Sequence, residues 1–145
     1  MNKVLLISVK PEFAEKILNG TKTVELRKCS PNVNVGDSVI IYSTLPEKAI
    51  VGTCIVEQVI KKSPRQLWRT HSRFTGIDKT RYFEYFRFSD IAIGIVLTSI
   101  SRLEKKLPLD SVRKTLPQFS PPQTFAYLDH RQMIAAGIVD ITALG

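Results

Sequence analysis

Between Gly20 and Lys28 the chain sets a lysine, a glutamate and an arginine into a β-branched run, Gly20-Thr21-Lys22-Thr23-Val24-Glu25-Leu26-Arg27-Lys28. A core strand would not carry so many charges, and a solvated strand would not need Val24 and Leu26. Alternation puts Thr23, Glu25 and Arg27 on one face and Val24 and Leu26 on the other. Lys22 and Glu25 are three apart, so either Lys22 lies in the turn before the strand or a bulge re-aims it. The pair has two readings. One is an exposed strand ion pair, worth roughly 0 to 1 kcal/mol. The other is a cleft pair, with Glu25 accepting from a base or ribose and Lys22 meeting a phosphate or an electrophilic carbonyl. If the cleft is catalytic, Lys22 and Glu25 are its reacting groups. Arg27 offers either a bidentate fork for phosphate or base or a salt bridge to Glu25 on the same face.

Further candidates surround this strand. Lys10 precedes a helix N-terminus, where backbone N–H groups favour anions. Tyr42 and Ser43 end a strand that can line the same cleft. Gln123 can read a base edge, and Phe125 can stack on it or fill the core. Arg65, Arg69, Arg73 and Arg81 lie among Trp68, Tyr82, Phe83, Tyr85 and Phe86. Aromatics mixed with arginines suit single-stranded RNA, although their helical spacing also fits a core. The arginines would then hold phosphates, which sets affinity rather than sequence choice. His71 and His130 lack partners at ligand spacing, so no metal is assigned. No phosphate-cradling glycine loop and no nucleophile–histidine–acid set is present, and no cofactor is expected.

The elements that must position these groups follow from local patterns. Val4–Val9 reads as a buried strand. Pro11 opens a helix, Phe13, Ala14, Ile17 and Leu18 form its apolar face, and Asn19-Gly20 stops it. The charged strand follows, from about Thr21 to Lys28. Gly36-Asp37 launches a strand over Ser38–Ser43, and a long strand spans Ala49–Ile60, with Gly52 marking a bend. Ser63-Pro64-Arg65-Gln66 is a capping box for a short helix. Gly76 breaks the helical run, and Asp78 caps a second helix. Ile91–Ile100 is apolar on both faces and therefore central. A short helix over Asp110–Lys114 and a strand over Thr124–Leu128 come next. Asp129 to Gln132 forms another capping box, for a helix through Met133 to Ala136, and Ile138–Ile141 alternates like an edge strand. Many short, mostly antiparallel strands with few helices make an α+β chain built on a small closed or nearly closed barrel.

Bulk properties agree with a single domain over 1–145, with a basic helical insertion at about 61–88 and a C-terminal extension at about 129–145. The chain is 43% hydrophobic and 23% charged, as in ordinary globular proteins. No apolar run approaches the roughly 20 residues needed to span a bilayer, and the N-terminus lacks a signal-peptide pattern. Cys29 and Cys54 form no disulfide framework, so a cytoplasmic protein with free thiols is expected. The net charge is +8, and most of the excess falls between Lys61 and Arg87. That points to a polyanionic partner, nucleic acid first. Monomer and homodimer both remain open, since Ile138–Ile141 could pair with another chain.

Gly20, Lys22, Glu25 and Arg27 match the glycine-x-lysine-x-x-glutamate-x-arginine pattern of the ASCH family in the PUA-like superfamily. Ser8-Val9-Lys10-Pro11 before the helix, Gly36-Asp37 before the third strand, and Pro121-Pro122-Gln123-Thr124-Phe125 after the insertion resemble the branch often labelled predicted transcriptional regulators. The resemblance reaches about Leu128. It implies a PUA-like, mostly antiparallel barrel with a helix after the first strand and an insertion after the fourth. It also implies RNA or nucleotide binding in the cleft between the barrel and the first helix; read with the residues above, the contacts expected there are Lys10, Lys22, Glu25, Arg27, Ser43 and Gln123, with Arg65, Arg69 and Arg73 extending the surface. Some relatives are similar to amidohydrolases of acetylated cytidine nucleosides, in which a lysine matching Lys22 assists a threonine nucleophile; Glu25 stands at the nucleophile position here. Ribonuclease activity is also attributed to some relatives.

Overall fold

The structure is a computed structural model that describes residues 4–129 and 131–132. Six strands form one curled sheet in the order β2-β5-β4-β3-β1-β6. They are β1 (Val4–Val9), β2 (Val24–Arg27), β3 (Ser38–Ser43), β4 (Ala49–Lys62), β5 (Ala92–Pro108) and β6 (Phe125–Leu128). Only β1 and β3 run parallel; the other pairings are antiparallel. Four helices accompany them: α1 (Pro11–Leu18), α2 (Pro64–His71), α3 (Lys79–Tyr85) and α4 (Leu109–Thr115). This is the expected α+β, mostly antiparallel architecture, with a helix after the first strand and a helical insertion after the fourth, and its sheet curls into a half-barrel.

Among the described residues the sheet does not close through its backbone. Its end strand β2 instead reaches β1 through a side chain, because Arg27 Nη2 donates to the Ser8 carbonyl at 2.9 Å. Inside the curl pack Leu5, Ile7, Val39, Ile41, Val56, Ile93 and Ile95, with Ala14 and Ile17 of α1 against them. The outer face of β1, β3 and β4 is covered by Leu109 and Val112 of α4. Val24 and Leu26 lie beneath the insertion with Leu67, Tyr82 and Phe86. The alternation of β2 therefore holds, yet both of its faces are buried.

Local signals set most boundaries. Pro11 occupies the first turn of α1, and Gly20 turns away from it at φ +86°. Ser63 and Gln66 form the reciprocal capping box of α2, and the Asp78 side chain accepts from the Arg81 N–H at the start of α3. The β3–β4 and β4–β5 registers shift beside Gly52. A Cβ there would collide with Leu18 and stand 2.8 Å from the Ser101 carbonyl, so a side chain would push α1 off the sheet.

Two boundaries differ from expectation. β2 is short, and Lys22 lies in the turn before it, the first of the two sequence alternatives. β5 continues past Ile100 to Pro108, because Ser101, Arg102, Leu107 and Pro108 keep pairing with the start of β4. That half is polar on one face and so lacks the two-sided apolar signature of Ile93–Leu97. The Asp129–Gln132 box is formed, with Gln132 N–H donating to the Asp129 carboxylate at 2.8 Å and Asp129 N–H to the Gln132 side chain at 3.0 Å. The expected helix through Ala136 and the edge strand Ile138–Ile141 lie outside the described residues.

Candidate functional site

The gap between β2 and β1 opens into a cleft of about 670 Å³. Ser8, Val9 and Lys10 line it from the end of β1, Phe13 from α1 and Thr44 from beyond β3. Lys22, Glu25, Leu26 and Arg27 form the motif wall. Ile77, Thr80, Arg81, Glu84 and Tyr85 form the wall from the insertion. Gln123 completes the lining; the Ser8 N–H bonds to the Thr124 carbonyl at 3.1 Å, which draws this segment to the end of β1.

The motif charges are buried rather than exposed: Lys22, Glu25 and Arg27 are 3%, 6% and 7% accessible. Glu25 sits between two cations, 3.6 Å from Lys22 Nζ and 2.5 Å from Arg27 Nη2. The expected Glu25–Arg27 salt bridge is thus present, and it lies inside the cleft. Lys22 Nζ also donates to the carbonyls of Thr75 at 2.6 Å and Val24 at 2.9 Å. Two carbonyls and one carboxylate supply an acceptor for each of its three N–H bonds. Burial pushes the Lys22 pKa below the ordinary lysine value, and the Glu25 carboxylate opposes that shift.

Lys22 therefore works as a latch. The Thr23 N–H donates to the Phe74 carbonyl at 2.9 Å, Lys22 to Thr75, and Lys16 Nζ to Gly76 at 2.8 Å. Three consecutive carbonyls of the insertion are pinned to α1 and the start of β2. Gly76 adopts φ +67°, and a Cβ there would lie 2.9 Å from Lys22 Cβ, so this glycine lets the two segments meet. Arg81 adds a bidentate bond to Glu12 across the cleft rim, at 3.0 and 3.1 Å.

Arg27 is differently disposed. Both of its recorded contacts come from Nη2. Among the described residues its Nε is buried with no hydrogen-bond partner, as are the hydroxyls of Ser8 and of Ser43, the last outside the cleft lining. Buried donors are nearly always satisfied, so two unpartnered polar groups on facing sides of the cleft leave hydrogen-bonding capacity there that the described residues do not use. With the lysine protonated, the Lys22–Glu25–Arg27 set carries one more positive charge than negative, which favours an anion.

Five of the sequence candidates meet at this cleft: Lys10, Lys22, Glu25, Arg27 and Gln123. Ser43 is fully buried, paired with Val9 and Ala49, and lies outside the lining. Arg65, Arg69 and Arg73 are exposed on the insertion, away from the cleft wall. Of the aromatic set, Tyr82 and Phe86 are core, and Trp68 and Phe83 pack against them; Tyr85 alone reaches the cleft. Thr23, the hydroxyl nearest Lys22 in sequence, is not in the lining. Sequence reasoning missed Ser8, Thr44 and the role of Arg81. Ser8 is hidden in an apolar run, and its polarity near the end of that run is the one available signal. Among the described residues no cluster of three or more His, Cys, Asp or Glu could hold a metal, and no helix is long and apolar enough to cross a membrane.

A curled half-barrel with a helix after its first strand and a helical insertion after its fourth matches the PUA-like fold. The ASCH domain family model matches residues 7–104, and the chain belongs to that family. It is similar to an ASCH domain-containing ribonuclease of Zymomonas mobilis, 29% identical over 126 residues, spanning 87% of this chain and 84% of that protein. The crystal structure of ASCH from Zymomonas mobilis matches with a TM-score of 0.89 and 27% identity, over 95% of this chain and 94% of that one. The N-terminal domain of Thermococcus gammatolerans McrB bound to m5C DNA shares the fold at a TM-score of 0.57 and 12% identity, over 99% and 100% of the two chains.

Proposed function

We propose that this protein binds RNA and houses one nucleotide of the strand in the cleft, with a phosphate or base acceptor against Arg27 and Ser8. The observation that carries this reading is the pair of buried polar groups without a hydrogen-bond partner among the described residues, Arg27 Nε and Ser8 Oγ, on two residues that line the cleft. The cleft volume falls in the range of small-molecule sites, about 300–1,000 Å³. Gln123 is placed to read a base edge, Tyr85 to stack on it, and Lys10 to meet a flanking phosphate at the rim. RNA is preferred to DNA because the relative at 29% identity is a ribonuclease. Lys22 contributes charge and position, since its N–H bonds are already used.

The same relative favours a second reading, in which the bound strand is cleaved. Glu25 would take the proton of a ribose 2′-hydroxyl as the 2′-oxygen bonds to phosphorus. The 5′-oxygen would leave and collect a proton from water, while Arg27 balanced the charge on the phosphoryl oxygens. A threonine-nucleophile deacylation of an acylated nucleoside has no support, because Glu25 occupies that position and Thr23 is outside the lining. A regulatory role, implied by the sequence resemblance, would use binding without turnover.

The test is RNA retention measured against salt for wild type, Lys10→Ala, Arg27→Lys and Arg65→Ala. Binding should weaken steeply with salt as counterions return to the phosphates. Arg27→Lys keeps the charge but loses Nε, so it should bind at least tenfold more weakly, Lys10→Ala a few-fold more weakly, and Arg65→Ala like wild type. Equal binding by Arg27→Lys would overturn the assignment. Cleavage is scored separately, by comparing an RNA with its 2′-deoxy analogue and wild type with Glu25→Gln.

A further inference from the structure

The connection from α3 to β5 carries a feature that the cleft does not use. Phe88 is 89% exposed, the most exposed large hydrophobic among the described residues. Its ring is not bare: the Arg87 guanidinium lies 4.5 Å from its centroid. Three residues before it, Tyr85 carries the Lys28 ammonium at 4.6 Å from its own centroid and also lines the cleft. Three residues after it stands Ile91, also exposed.

The sheet register places two lysines beside the start of β5, four residues after Phe88. Arg27 pairs with Ile93, which pairs with Lys61, and Ala92 pairs with Lys62. Lys28 follows Arg27 in the chain and so comes level with Ala92. Strands lie about 5 Å apart, so Lys28 and Lys62 flank Ala92 on the face that the insertion covers. Among the described residues neither lysine has a carboxylate partner. Arg87 does pair with Glu84, at 3.0 Å, in an exposed contact. Exposed aromatics beside unpaired cations, next to a cleft mouth, fit a flexible polyanion whose flat groups can stack. They do not fit a second apolar surface, which would leave Lys28 and Lys62 without partners.

We infer that Tyr85, Phe88 and Lys28, backed by Lys62 and Arg87, form a platform that carries single-stranded RNA onward from the cleft, with a base stacked on Phe88 and the backbone along the lysines. This rests on the RNA-binding reading of the cleft and adds the path of the strand beyond it. It also replaces the Arg65, Arg69 and Arg73 face as the extension of the site. Base–aromatic stacking makes the expected loss at one ring about 5- to 160-fold in affinity.

The experiment compares a dinucleotide with an octanucleotide by fluorescence anisotropy at fixed salt, for wild type, Phe88→Ala, Phe88→Leu and Arg27→Lys. Phe88 is nearly fully exposed, so its variants should keep the fold. Wild type should bind the longer RNA more tightly, and Phe88→Ala and Phe88→Leu should lose that gain while holding the dinucleotide as wild type does. Arg27→Lys should weaken both ligands. Unchanged octanucleotide affinity in Phe88→Ala would overturn the platform and leave the cleft reading standing. Wild-type affinity retained in Phe88→Leu would replace stacking with simple apolar contact and likewise overturn it. Failure of wild type to bind either RNA would overturn both readings. Sedimentation of the same samples identifies a remaining outcome: a dimer lost in Phe88→Ala with no change in RNA affinity would make the patch a self-association surface.

Discussion

Replacing Lys22 by methionine keeps the length of the side chain and removes its ammonium. Thr75 O, at 2.6 Å, and Val24 O, at 2.9 Å, then lose their donor, and Glu25 keeps only Arg27. Each orphaned carbonyl costs about 1–3 kcal/mol, and breaking a buried ion pair costs about 3–5 kcal/mol. Relief from burying the ammonium offsets part of this, so a net loss of about 3 kcal/mol is expected. Against a typical stability of about 5–15 kcal/mol the variant should still fold. With a urea slope of about 2 kcal/mol/M, the unfolding midpoint should fall by about 1.5 M. The local consequence is more specific. The Thr23 amide, which bonds to the Phe74 carbonyl beside the latch, should exchange its proton faster in Lys22→Met. An unchanged midpoint together with unchanged Thr23 exchange would refute the latch and return Lys22 to the list of ligand contacts.

Two further outcomes follow from the buried groups. The Tyr82 hydroxyl donates to the Pro64 carbonyl at 2.7 Å, and burial pushes its pKa up to about 12. A raised folded pKa means that its stabilisation is complete below pH 10 and is lost as pH rises from 10 toward 12. Urea midpoints followed across that window should fall for wild type and fall less for Tyr82→Phe. Cys54 is buried and its thiol pKa is raised by burial, whereas Cys29 is exposed. A thiol reagent at neutral pH should therefore label Cys29 in the native protein and reach Cys54 only after unfolding.

The fold was legible where turn chemistry and periodicity agreed. Pro11, Gly20, Ser63 and Asp78 each punctuate an element where the sequence places it. The site was legible in its centre, because a strand that mixes Lys22, Glu25 and Arg27 with Val24 and Leu26 has few uses other than as a cleft wall. Its surroundings were not. The hydrogen bonds that commit Lys22 to Thr75 and Lys16 to Gly76 span 53 and 60 residues, a separation that no local pattern encodes. Charge density pointed to Arg65, Arg69 and Arg73, which are exposed on the insertion and do not line the cleft. The same counting passed over Lys28, one residue beyond the motif, whose place over the Tyr85 ring depends on how α3 packs on β2.

The account turns on the open donors at Arg27 and Ser8. The most direct measurement is the nuclear magnetic resonance of the Arg27 Nε–H group during titration with a short RNA. The account predicts a downfield shift of that proton as Nε gains an acceptor, with amide shifts at Ser8, Lys10 and Gln123 saturating at the same RNA concentration. An Arg27 signal that stays still while shifts gather around Arg65, Arg69 and Arg73 would contradict it and move the binding site to the outer face of the insertion.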